Sequence, residues 1–184
     1  MNTQQPFTDT QTLRTNARQH IEEGAVTAGY TADRAEILVQ LNAALATELL
    51  CMLRYRYHHF AASGIQAKAI ADEFLIHSNQ ELAHADALAA RIIQLGGEPN
   101  FAPDDITRRS HAEFLLSGSL VGMIKEDLVA ERIAIDSYRE FIQYLGDKDP
   151  TTSHVLKGIL AVEEEHADEL ADFLKNLPRQ EGEI

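Results

Sequence analysis

Two short segments, Glu81-Leu-Ala-His84 and Glu163-Glu-Glu-His166, constrain this chain more than anything else in it, because each sets a carboxylate and an imidazole three residues apart inside a long helical pattern. On an α-helix that spacing brings both side chains out on one face, about 4.5 Å apart along the axis, so that one cation can be held by both. A lone glutamate precedes each pair at nearly the same distance: Glu48 lies 33 residues before Glu81, and Glu131 lies 32 before Glu163. The chain reads as two halves carrying one pattern.

Apolar residues recurring in steps of three and four predict the helices that carry these groups. With Thr31 read as the N-cap, a first seam runs Leu38, Leu41, Leu45, Met52, Tyr55 and His59, and Glu48 fills its one missing place. Ser63-Gly64 leaves room for only a tight turn, which makes the second helix antiparallel to the first. That second seam runs Ile70, Phe74, His77, Glu81, His84, Leu88, Ile92 and Leu95, and Gly96-Gly97 with Pro99 stops it. Residues 96–118 are too many for a turn and read as a crossover along the bundle, with Ser110-His-Ala-Glu113 as the capping box of a short helix. The third helix, from about Ser119 to Gly146, then runs parallel to the second, with Glu131 and Tyr138 on its seam. Asp149-Pro150 starts the fourth, which carries Glu163 and His166 inward and ends at Pro178. The expectation is an all-α four-helix bundle over residues 31–177. A 1–30 extension with a short helix from Asp9 to Glu23 precedes it, and a 178–184 tail without a fifth helix follows.

Four glutamates and two histidines thus stand where the spacing calls for leucine. A buried carboxylate without counter-charge costs several kcal/mol or stays protonated, and Arg54, Arg56, Lys125, Arg132 and Arg139 all fall off the seams. Two divalent cations neutralise four carboxylates and leave the imidazoles as neutral ligands. Oxygen and nitrogen donors without thiolate suit iron, with manganese or zinc able to substitute. By symmetry Glu81 and Glu163 bridge the two ions, while Glu48 and Glu131 cap one each and His84 and His166 bind one each. The formal charge of −13 suits a cationic partner and speaks against nucleic acid and anionic lipid. A start without a basic segment or apolar core, and the lack of any long uncharged apolar run, give the expectation of a soluble cytoplasmic protein.

Those residues carry a resemblance. Leu41-Asn-Ala-Ala-Leu-Ala-Thr-Glu48, Gln80-Glu-Leu-Ala-His-Ala-Asp86, Leu95-Gly-Gly-Glu-Pro-Asn100 and Asp127-Leu-Val-Ala-Glu131 look like the matching helices of bacterioferritin, in the ferritin-like superfamily, over about residues 36–174. The resemblance implies that Glu48, Glu81, His84, Glu131, Glu163 and His166 are ferroxidase ligands and that Tyr55 lies beside the centre. It also implies oxidation of Fe(II) by O2 or H2O2 and storage of ferric mineral in a hollow homo-oligomeric shell. The chain departs from that family in having Leu82 where bacterioferritins place their haem-ligating methionine, so no haem is expected. Without a fifth helix, a shell of twelve subunits, as in the Dps-like branch, is expected ahead of one of twenty-four. Thioferritins within that branch carry a cysteine pair, whereas this chain has only Cys51.

Other residues have plainer readings. Tyr138 is assigned to core packing, His77 to a hydrogen-bonded core histidine, Cys51 to filler, and Glu164 and Glu165 to solvated charge. Asp127 is expected to hold the N–H of a ligating histidine. A non-storing peroxidase or catalase built on the same centre is the alternative function. DNA coating is poorly supplied, since residues 1–20 contain only Arg14 and Arg18 and no lysine.

Overall fold

A computed structural model describes residues 7–64 and 67–177. Six α-helices occur among them: α1 (Thr10–Asn16), α2 (Arg34–Ala61), α3 (Ala67–Gln94), α4 (Ile106–Arg109), α5 (Leu120–Leu145) and α6 (Pro150–Asn176). The four long ones are the bundle. The expected 178–184 tail and the stop at Pro178 lie outside the described residues.

Where the helices begin differs in detail from the sequence reading. Asp33, not Thr31, caps α2, its carboxylate accepting the Glu36 N–H. Asp9 caps α1, the short helix expected from Asp9 to Glu23, but that helix stops at Asn16, and residues 21–23 form a separate 3-10 turn after His20 in the left-handed region. The reason is burial: Leu13 and Ile21 are more than half exposed, and so short a helix needs packing to persist. In the crossover, Ser110 does not start a helix. Its hydroxyl bonds both the N–H and the carbonyl of Ala112, and the short helix, α4, lies just before it.

Helix ends follow the glycines and the Asp-Pro pair. Gly96 takes φ 74° after α3, and at Gly97 a Cβ would fall 2.4 Å from Leu38 Cδ2, so a side chain there would have to push the Leu38 methyls aside. Asp149 caps α6 through Thr152, with Pro150 at the first position. It also accepts from the Tyr30 hydroxyl and from buried Arg91, tying the N-terminal segment and α3 to the start of α6.

Cross-helix contacts fix the directions. Ser78 donates to the Met52 carbonyl and His59 meets that of Ala71, so α2 and α3 are antiparallel. Tyr55 meets Glu131 while Tyr138 meets Glu48, so α5 also runs against α2 and therefore with α3. His77 meets Glu169 and Arg91 meets Thr152, setting α6 against α3. The crossover between α3 and α5 is pinned by Arg109 on the Asn42 and Asn100 carbonyls and by Arg54 on that of Glu113.

One core runs through the bundle, from Ile37, Leu41 and Leu45 on α2 to Leu156 and Leu170 on α6. Among the described residues, α2 alone has the length and apolar composition of a membrane span, and 56% of its most apolar stretch is buried inside the bundle.

Candidate metal centre

Midway along the four helices the apolar core is interrupted. Glu48 on α2, Glu81 and His84 on α3, Glu131 on α5 and Glu163 and His166 on α6 are all buried, none more than 8% exposed. The i,i+3 spacing puts each histidine beside its own glutamate, and the antiparallel pairings bring the lone glutamates to the same level.

The result has near two-fold symmetry. His84 Nδ1 lies 3.0 Å from Glu163, 3.3 Å from Glu48 and 3.4 Å from Glu81. His166 Nδ1 lies 3.2 Å from Glu163, 3.6 Å from Glu81 and 3.7 Å from Glu131. Two sets of donors follow, Glu48–Glu81–His84–Glu163 and Glu81–Glu131–Glu163–His166, each with its ligand atoms within 4.8 Å of one another. Glu81 and Glu163 belong to both.

The electrostatics of the pocket call for positive charge. Burial drives the Glu81 carboxyl well above its ordinary range, with repulsion from Glu163, Glu48 and Glu131 added. Burial and Glu163 push Glu131 up to about 7. For Glu48 burial opposes ionisation, yet hydrogen bonds with Glu81 and His84 hold its carboxyl below the usual value. Burial would lower both imidazoles, but the carboxylates around them prevail, and His84 rises to about 12 and His166 to about 10. The pocket thus favours protonated imidazoles, and a divalent ion held here would displace those protons.

Hydrogen bonding gives the same indication. Both oxygens of Glu163 and Nδ1 of His166 are buried without a hydrogen-bond partner, although Oε2 lies 3.2 Å from His166 Nδ1 and Oε1 3.0 Å from His84 Nδ1. The buried arginines are turned elsewhere, Arg54 to Asp127 and Arg91 to Asp149. Two overlapping sets of carboxylate and imidazole donors, with unpartnered atoms among them, fit divalent ions of the iron, manganese or zinc class.

Around the six, several assignments change. Tyr138 is not simply core packing: its hydroxyl donates to Glu48, as that of Tyr55 donates to Glu131. Both phenols are pushed well above their ordinary value, first by burial and then by the carboxylates they face. Asp127 is bonded to neither His84 nor His166. It pairs with Arg54 Nε at 2.9 Å and His58 Nδ1 at 2.7 Å, because antiparallel α2 presents residues 54 and 58 opposite position 127. The outer nitrogen of His166 meets Gln80 instead, whose Oε1 accepts from Nε2 at 3.0 Å. Gln80 directly precedes Glu81, a position that spacing alone places beside the motif without revealing its partner.

His77 is a buried, hydrogen-bonded histidine as expected. Its ring stacks on His166 with centroids 4.0 Å apart, and its Nε2 faces Glu169 at 2.8 Å. Cys51 is buried, and burial followed by the Glu81 charge raises its thiol well above the ordinary value, which keeps it unreactive. Glu164 and Glu165 are exposed, Glu164 pairing with Arg139.

Comparison with known proteins points to one family. Residues 38–180 match the ferritin-like domain family. Bacterioferritin of Streptomyces coelicolor is 32% identical over 136 residues, spanning 73% of this chain and 77% of that one. A DNA protection during starvation protein of Pyrococcus furiosus is 29% identical over 151 residues, 79% and 80% of the two chains. Among solved structures, a dodecameric thioferritin of Bacteroides fragilis superposes with a TM-score of 0.76 at 32% identity, covering 78% of this chain and 87% of that one. With its bundle topology and its match across most of its length, the chain belongs to the ferritin-like family.

Proposed function

We propose that this protein is a ferroxidase that stores iron: Fe(II) is its substrate, O2 or H2O2 the oxidant, and ferric mineral the product held within a homo-oligomeric cage. The observation that carries this reading is the pair of overlapping donor sets sharing Glu81 and Glu163, while the buried arginines among the described residues turn to Asp127 and Asp149. Two ferrous ions occupy it, Glu48 and His84 holding one, Glu131 and His166 the other, with Glu81 and Glu163 shared. Manganese or zinc substitutes at the same ligands. Two electrons leave the two ions; with peroxide as oxidant, two protons complete two waters.

The protein's own groups serve that exchange. The imidazoles surrender their protons as iron arrives. The Tyr55 hydroxyl donates to Glu131 and orients it, and its ring lies edge-on to His77 and His166. No haem enters this reading, since Leu82 offers no ligand atom.

For the assembly we propose a cage, twelve subunits ahead of twenty-four. The dodecameric thioferritin neighbour supports it, and so do Val39, Leu53, Phe60, Ile76 and Ile93, large apolar side chains exposed on the outer faces of α2 and α3. The reading places the protein in the cytoplasm. DNA is not among its assigned partners, because the charge of −13 opposes phosphate, although relatives bear names such as nutrient stress-induced DNA-binding protein in Synechococcus.

Aerobic addition of Fe(II) to metal-free protein tests this. Rapid oxidation with iron retained in a cage-sized particle far beyond two ions per chain supports it. Sustained peroxide consumption with no more than the two ions held by the donor sets overturns storage in favour of a peroxidase or catalase.

A further inference from the structure

Beside the six-residue pocket lies a second cluster that joins it through one ring. His77 is fully buried, and its Nε2 faces Glu169 at 2.8 Å and Glu73 at 3.8 Å. Glu73 on α3 and Glu169 on α6 are part-exposed, their side chains 28% and 42% accessible, so this cluster opens to solvent where the pocket does not. Candidate ligand atoms of the three lie within 4.8 Å of one another.

Two features show that this is more than a solvated acidic patch. The ion-pair partner of both carboxylates among the described residues is this one imidazole; burial and the facing Glu169 charge raise the Glu73 carboxyl, so two like charges are held together without a basic side chain to answer them. The second feature is His77 itself, a fully buried imidazole that turns Nε2 toward both carboxylates, while Nδ1 on its other edge is buried with no hydrogen-bond partner. The same residue also groups with Glu131 and His166 at ligand spacing.

We propose that Glu73, His77 and Glu169 form a third cation site, for a divalent ion of the iron, manganese or zinc class, on the solvent side of the pocket. Two carboxylates and one imidazole supply three ligands, and the exposure of the glutamates leaves the remaining positions to water. An ion held here stands one stacked ring away from His166, between solvent and the buried pair. That delivery role rests on the two-ion reading above; the existence of the site does not.

Zn(II) added to the metal-free cage, with isothermal titration and anomalous diffraction from soaked crystals, tests both. Three ions per chain are expected, with an anomalous peak between Glu73, His77 and Glu169. The E73Q/E169Q variant, changed only at part-exposed positions and checked for folding by far-UV circular dichroism, is expected to bind two. A peak at this cluster with none among Glu48, Glu81, Glu131 and Glu163 keeps the third site and refutes the two-ion reading. Peaks in the pocket without one here, or a count that E73Q/E169Q leaves unchanged, overturn the third site.

Discussion

Tyr138→Phe separates two accounts of a buried phenol. If Tyr138 only fills space, removing its hydroxyl costs nothing or stabilises, since a fully buried ring loses one polar atom. The structure requires the opposite sign. Tyr138 is 2% exposed and Glu48 1%, and the hydroxyl donates to the Glu48 carboxylate. A hydrogen bond to a charged acceptor contributes about 1.5–3 kcal/mol, and its loss leaves the carboxylate less satisfied. For a chain of this size each kcal/mol moves the midpoint by about 2–4 °C, so metal-free Tyr138→Phe is expected to melt roughly 3–12 °C below wild type. Far-UV circular dichroism at matched chain concentration measures this, because assembly makes Tm concentration-dependent. Saturating Zn(II) is expected to narrow the gap, a cation then answering Glu48 in place of the hydroxyl. The double variant Tyr138→Phe/Glu48→Gln should lose less than the sum of the two single changes. An unchanged or raised Tm in the metal-free single variant refutes the reasoning.

Two further outcomes follow from the buried ion pairs. Arg54→Met is expected to cost about 3–5 kcal/mol in urea unfolding by leaving Asp127 without its guanidinium, and to expose the crossover to limited proteolysis through loss of the Glu113 contact. At Asp149, burial opposes ionisation, but hydrogen bonds from Thr152, Tyr30 and Arg91 outweigh it and hold the carboxyl below its ordinary value. A carboxyl lowered by folding stabilises above its unfolded pKa, about 3.9, and that contribution is lost as pH falls through the lower folded value. Asp149→Asn is therefore expected to reduce stability at neutral pH and to flatten its decline between about pH 4 and pH 2, as urea midpoints across that range report.

Legibility from sequence differed among the residues for definite reasons. The four bundle helices were readable because seams in steps of three and four over 26 to 28 residues admit one solution. The six inward groups were readable because each replaced an apolar residue on such a seam. Arg54 shows the limit. It falls off the seam of α2, yet it is 2% exposed, because α5 and the crossover cover that side of the helix and offer Asp127 and the Glu113 carbonyl. The same side buries His58, while the seam residue His59 stays part-exposed. Tyr138 was placed inward correctly, but its partner lies 90 residues away. The N-terminal helix ended early because none of its residues is buried, which a local pattern cannot foresee.

Local spacing determined which side chains leave each helix together, since 3.6 residues per turn is a property of the backbone alone. It therefore determined the Glu-x-x-His pairs and the burial their seams demanded. Which glutamate stands across from which tyrosine, why Asp127 answers Arg54 and not a ligating histidine, and how His77 comes to face Glu169 were decided only in the assembled bundle. Those pairings depend on the axial offset and rotation of whole helices against one another, and packing across the entire core sets both.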